Sequence, residues 1–137
     1  MLLRTGDVLI CEGGHGIARA AVWRAEEPDI AFQKALHRVR PGRSLNGDFF
    51  SYCVSAYFHA GVLQNYFTGV GIPHFTGRAL SSLVFPLPPF AEQHRIVAKV
   101  DELMAICDQL EAQLTTAQTE SRRLLEAVLH DALALAA

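Results

Sequence analysis

Residues 90–131 read FAEQHRIVAKVDELMAICDQLEAQLTTAQTESRRLLEAVLHD, and from about Ala91 onward the chain has neither glycine nor proline. Ile96, Val100, Leu103, Cys107, Leu110, Leu114, Ala117, Ser121, Leu124 and Val128 follow one another at alternating steps of four and three. That spacing keeps one apolar edge of a helix facing a partner helix. A helix from Phe90 to Asp131 would be about 63 Å long at 1.5 Å per residue, against ~30 Å for a small domain. It must therefore project, or fold back as a hairpin. No turn signal lies between Glu92 and His130, which favours packing against another chain.

The flanks of this seam vary along the helix. Val97, Met104, Ile106 and Leu125 widen the apolar face toward both ends. In the middle the flanks are Glu111, Gln113, Gln118 and Glu120, and the seam shrinks to Ala117 and Ser121. Wide apolar ends suit contact with more than one partner helix. Ile96, Val100, Leu103, Cys107, Leu110, Leu114, Leu124 and Val128 are the dimerisation candidates.

Upstream the pattern changes. Asp7 to Cys11 (DVLIC) reads as a short buried strand after the turn signal Thr5-Gly6. Gly13-Gly14-His15-Gly16 breaks it, and Ile17 to Trp23 (IARAAVW) reads as a second, partly alternating strand. Pro28 marks a turn. Ile30 to Val39 is a third strand by composition, although Phe32 and Leu36 share a face with Lys34 and Arg38. Pro41-Gly42 ends it. Asn46 suits a helix N-cap, with Asp48 in the first turn, where a carboxylate complements the helix dipole. Phe50, Val54, Tyr57, Phe58, Gly61 and Val62 form one stripe of that helix. Phe49, Tyr52 and Cys53 occupy its other face, so burial on most sides is expected. Gly69, Gly71 and Pro73 make an irregular segment. Thr76 caps a short helical turn ending near Ser82, and Val84 to Pro89 (VFPLPP) is extended because of its prolines. The fold class expected is mixed α+β: short strands and a buried helix over 1–89, then a long projecting coiled-coil helix over 90–137.

The whole chain has 137 residues, 50% of them hydrophobic and 19% charged. A chain so rich in apolar residues is not a disordered tail. Phe49 to Gly77 holds no Asp, Glu, Lys or Arg. His59, Gln64, Asn65, Pro73, His74 and four glycines within it favour a buried helix over a membrane span. Cys11, Cys53 and Cys107 form no CxxC pair, their odd number argues against a disulfide framework, and a reducing cytoplasm is the plain reading. MLLRTGDVLI at the start lacks the features of a signal peptide.

Net charge is −2, with +2 over residues 1–90 and −4 over residues 91–137. Between Ile30 and Gly47 stand Lys34, Arg38, Arg40 and Arg43 with no carboxylate. Two readings fit: a phosphate-facing patch, or a solvated strand and turn. His15 and Arg19, beside the glycine turn, are further candidates for a phosphate contact.

Catalytic signatures do not emerge. His15, His37, His59, His74, His94 and His130 are scattered, with no HExxH or HxH pair, so neither a catalytic nor a metal site is expected. The glycine turn lacks both GxGxxG and GK[ST], so no cofactor is expected: neither S-adenosylmethionine nor ATP. It reads as a turn needing positive φ, though glycines also let backbone approach a phosphate. A small cysteine or histidine hydrolase has only isolated residues in its favour.

Phe85 to Leu103, FPLPPFAEQHRIVAKVDEL, resembles the junction between target recognition domain and conserved helix in specificity subunits of type I restriction-modification systems. Those subunits read PLPPLxEQxRIVxKVDEL or close to it. MAICDQLEAQL over 104–114 continues the likeness. Upstream, GDVLICEGG, IARAAVW, FQKALHRVRP, the Phe49-Phe50 helix and LSSLVFPL resemble the distal half of such a recognition domain. The resemblance implies a protein that performs no chemistry. In the family, two recognition domains each read half of a split target in double-stranded DNA. An antiparallel pair of long helices spaces them and docks the methyltransferase (modification) subunits, which carry the chemistry with their endonuclease partners. This chain has room for one recognition domain, shorter than the family's, and one long helix. The reading is a truncated half-subunit: Lys34, Arg38, Arg40 and Arg43 on DNA, His15 and Arg19 beside them, and the helix pairing with a second copy as a homodimer. The alternative is an assembly module that no longer binds DNA by itself.

Overall fold

The computed structural model of the chain describes residues 2–26 and 30–135, with side chains through His130. The turn expected at Pro28 lies outside the described residues. Backbone contacts divide the chain into two units, Met1–Val97 and Ala98–Ala137.

The first unit is built on three antiparallel strands, β1 (Val8–Cys11), β2 (Ala20–Val22) and β3 (Leu36–Val39), in the order β2-β1-β3. Val8 stands opposite Val22 on one side and Val39 on the other, and Ile10 opposite Ala20 and His37. Strand side chains alternate between faces. Val8 and Ile10 are accordingly wholly buried, whereas Leu9 and Cys11 are half-buried.

Helix α1 (Gly47–His59) covers the buried face. Asn46 caps it as expected, its side chain accepting from the Phe49 N–H at 2.9 Å. The entry is tight: a Cβ on Gly47 would meet Val8 Cγ2 at 3.3 Å and Gly6 O at 3.5 Å. A residue without a side chain lets the helix start directly on the sheet. Phe50 and Val54 join Val8, Ile10, Ile17, Ala18, Leu63 and Phe75 in one core. Burial of α1 runs from Phe49 to Val54 and, in part, Tyr57, and its last turns are otherwise open, with Ser55, Ala56, Phe58 and His59 exposed.

Both outer strands are shorter than the sequence suggests. In place of a strand from Ile17, Gly14–Gly16 forms a 3-10 turn and Ile17-Ala18 enters the core as part of that turn. The Ile17 N–H donates to Gly14 O and the Arg19 N–H to Gly16 O, which holds this segment in the turn, and the regular strand is Ala20–Val22. Gly14 has φ +71° and Ala18 φ +60°. Over 30–39, only Leu36–Val39 pairs as a strand. Ala31 makes an isolated bridge to Leu2, and a turn closed by the Leu36 N–H on Gln33 O intervenes. The broken alternation at Phe32 to Leu36 is the cause.

A second 3-10 segment (Val62–Tyr66) buries Leu63, and α2 (Gly77–Ser81) is capped by Thr76, which accepts from the Ala79 N–H. Val84 to Pro89 is extended and lays Phe85 against Phe50, ring centroids 5.1 Å apart. It leads into α3 (Phe90–Leu135), whose first turns belong to this unit. There Gln93 is 0% exposed. Its Oε1 accepts from the Asn46 N–H, and its Nε2 donates to Ser44 O and Pro88 O, each at 2.9 Å.

In the second unit α3 continues unbroken to Leu135, about 69 Å for the whole helix at 1.5 Å per residue. No hairpin interrupts it. Every residue from Asp101 to His130 is exposed, including Leu103, Cys107, Leu110, Leu114, Leu124 and Val128, while Ile96 and Val100 are half-buried. Among the described residues no helix is long and apolar enough to cross a membrane.

Candidate nucleic-acid interface

The four cations of 34–43 do not form one patch. β3 runs antiparallel to β1, so Lys34 lies beyond the Cys11 end of β1 and Arg40 beyond its Val8 end. The strand between them, Leu36–Val39, is about 13 Å long at 3.3 Å per residue.

At the Val8 end the cations are engaged. Arg40 grips Asp7 with two hydrogen bonds, Nε to Oδ1 and Nη2 to Oδ2, both 2.7 Å. Asp7 is 1% exposed and also accepts from the Arg4 N–H at 2.8 Å. The Arg40 guanidinium, more than burial opposes, holds the Asp7 carboxyl below its ordinary value of 3.8. Arg38 donates to Leu2 O at 3.0 Å and stacks over Phe32, with its Nε buried. Arg43, just past Pro41-Gly42, is exposed. Arg24 pairs with Asp48 at 2.6 Å.

This pair sets an acid limit on stability. A carboxylate with a depressed folded-state pKa contributes stability that is present above its unfolded value and lost as pH falls through the folded one. Asp7→Asn should therefore lower stability by about 2 kcal/mol at pH 7, a buried-pair figure discounted for the half-open Arg40. The deficit should begin to shrink as pH falls below the unfolded value of about 4, and should close as pH approaches the lower folded-state value, where wild-type Asp7 itself takes up a proton. Urea midpoints at both pH values test this, and a deficit independent of pH would contradict it.

At the Cys11 end the arrangement differs. His15 and Arg19 border a recess of about 390 Å³ with Ser55, Phe58 and His59. Lys34 borders a neighbouring recess of about 290 Å³ with Glu12, Gly13, Gly14 and His74. His15, Arg19 and Lys34 are all exposed, and none makes an ion pair among the described residues. The strand and the glycine turn thus bring Lys34 toward the His15 turn, which the linear basic run does not indicate. His59 and His74 join them. Sequence reasoning missed both, since each lies far along the chain in a segment read as buried helix or irregular loop.

Burial pushes the Cys53 thiol above its ordinary value, the opposite of what a nucleophile needs. Among the described residues, no three His, Cys, Asp or Glu side chains are placed to hold a metal ion.

A family model described as the type I restriction modification DNA specificity domain matches residues 6–117. The chain is 26% identical over 113 residues to the type I restriction enzyme EcoAI specificity subunit of Escherichia coli, covering 82% of this chain and 19% of that protein. It is 30% identical over 117 residues to the EcoBI specificity subunit of the same organism, covering 85% of this chain and 24% of that protein. The chain thus spans about a fifth to a quarter of the curated relatives it matches. The matched residues run from the turn before β1 through the sheet, α1 and the prolines, and on past Leu114 of α3. The chain belongs to the type I restriction modification DNA specificity domain family.

Proposed function

We propose that the protein is a non-catalytic DNA sequence-specificity and scaffold component of a type I restriction-modification complex, acting in the cytoplasm in half-subunit form. The observation that carries this reading is the family match across the compact unit and most of α3. The first unit contacts double-stranded DNA, with Lys34, Arg19, His15 and Arg43 as exposed phosphate contacts. Arg38 and Arg40, already engaged with Leu2 and Asp7, set the edge of the sheet from which Arg43 extends. Methyl transfer and cleavage belong to partner subunits, and α3 carries the methyltransferase subunit.

The apolar seam of α3 pairs with a second copy, giving a homodimer with two recognition units for two half-sites. Its flanks favour an antiparallel pair. In a parallel dimer Val97, Met104, Ile106 and Leu125 would face Glu92, Lys99, Glu111 and Glu120 of the second copy. An antiparallel pair that engages the seam from Ile96 to Val128 sets Val97 against Leu125 at both ends and Met104 against Gln118. Its costs are a like-charge contact between the two Glu111 side chains, about 0.5 kcal/mol, and Ile106 set against Glu120.

DNA binding is tested by salt dependence. The full chain should bind duplex DNA with an affinity that falls steeply as salt rises. Arg19→Ala combined with Lys34→Ala should weaken binding and flatten the log–log slope by about two units, at roughly 0.9 per phosphate lost. Arg122→Ala with Arg123→Ala, on the acidic helix, should leave the slope unchanged. An effect confined to the Arg122/Arg123 variant would move the interface onto α3. If duplex DNA is not bound at any salt concentration, the assembly-only alternative is favoured.

A further inference from the structure

Thr68 to His74 form a short hairpin whose tip is the most exposed apolar feature of the first unit. Val70 is fully exposed and Ile72 is 64% exposed. The loop is closed by a reciprocal pair of hydrogen bonds, the Thr68 N–H to His74 O at 2.9 Å and the His74 N–H to Thr68 O at 2.7 Å. Its shape is set by Gly69 at φ +106°, where a Cβ would lie 2.6 Å from Ile72 O, and by Gly71 at φ +95°. The base is tied down. His74 bridges to Gly13, and the Phe75 N–H donates to Glu12 O at 2.7 Å. Phe75 itself is wholly buried, edge-on to Phe67. Two β-branched apolar side chains are thus held in water on a rigid platform.

The base of the hairpin lies beside a lysine. Lys34 shares the recess beside His74, and His15, Arg19 and His59 border the next one. From Phe49 to Ala91 the sequence has no Asp or Glu, and Glu12 is the one carboxylate lining these two recesses. An apolar tip whose base at His74 borders the recess of Lys34, on a unit that also exposes Arg19, matches the major groove of duplex DNA. That groove is about 12 Å wide and admits a two-stranded ribbon, its rims are phosphates, and the thymine C5-methyl is its apolar element.

We propose that Val70 and Ile72 enter the major groove and contact thymine methyl groups, while Lys34, Arg19 and His15 hold the flanking phosphates. The inference rests on the DNA-binding reading and adds to it the element that discriminates sequence. The full chain is used to select duplexes from a randomised library. The best duplex is remade with deoxyuridine in place of thymidine, one position at a time, which removes only the methyl. One or two replacements should weaken wild-type binding about fourfold each, the scale of one buried methyl group. Val70→Ala with Ile72→Ala should bind the parent duplex about tenfold more weakly. That variant should lose the uracil sensitivity yet bind an unrelated duplex within about twofold of wild type, because its phosphate contacts are intact. Arg19→Ala with Lys34→Ala should weaken binding to both duplexes and keep the uracil sensitivity. A hairpin variant with wild-type affinity and uracil sensitivity would overturn the hairpin assignment and leave DNA binding standing. A wild-type chain that selects no duplex would overturn the DNA-binding reading, and this inference with it.

Discussion

Gln93→Ala should destabilise the compact unit by about 3–4 kcal/mol, a large share of the 5–15 kcal/mol that holds a typical domain together. The wild-type side chain is wholly buried and makes three hydrogen bonds, to the Asn46 N–H, Ser44 O and Pro88 O. Truncation takes the partner from three part-buried backbone groups, at about 1–3 kcal/mol for each that water does not reach. The same residue joins three pieces of chain: the turn before α1, the proline segment and the first turn of α3. Urea unfolding of the full chain, followed by tyrosine and tryptophan fluorescence, should show the midpoint falling by about 2 M. Gln93→Glu refines the test. A carboxylate still accepts from Asn46 but turns an oxygen toward two carbonyls, so its folded-state pKa is raised and its deficit grows with rising pH. A loss under about 1 kcal/mol for Gln93→Ala would mean that water replaces the amide without cost.

Leu103→Lys with Leu110→Lys should abolish self-association through α3. Both leucines are exposed on the helix, 50% and 58%, in the middle of a continuous apolar stripe. In a symmetric pair the two changes remove four leucines from the seam, each worth about 1.5–3 kcal/mol when buried. The dissociation constant should therefore rise more than about a thousandfold. Sedimentation equilibrium should give a dimer for wild type at micromolar concentration and a monomer, or insoluble protein, for the variant. Because both sites lie outside Met1–Val97, a soluble variant should retain the wild-type urea midpoint of the compact unit. A wild-type monomer across micromolar concentrations would remove the homodimer from the proposed function.

Sequence alone determined the elements whose cause is local. Asn46 and Thr76 mark helix starts because a short polar side chain accepts the first free N–H groups of the helix behind it. The strand at Val8–Cys11 and the unbroken helix after Phe90 follow from an apolar run and from a long stretch without glycine or proline. The string from Phe85 to Leu103 carried the family likeness, which the match over residues 6–117 bears out.

Tertiary structure decided whatever depends on residues far apart in the chain. Ile17 looks like a strand residue, yet its N–H donates to Gly14 O and closes a turn. Lys34 and Arg40 share a basic run, yet β3 carries them to opposite ends of β1, and a buried aspartate 33 residues away engages one of them. Gln93 reads as a polar position on an amphipathic helix. Its burial depends on Ser44 and Asn46, 49 and 47 residues earlier, which no periodicity connects to it. The hairpin at 68–74 reads only as glycine and proline punctuation until pairing with Gly13 sets its base, His74, in one recess with Lys34. Propensity and capping act within a turn or two of chain, whereas ion pairs, buried amides and shared recesses exist only once distant segments are packed together.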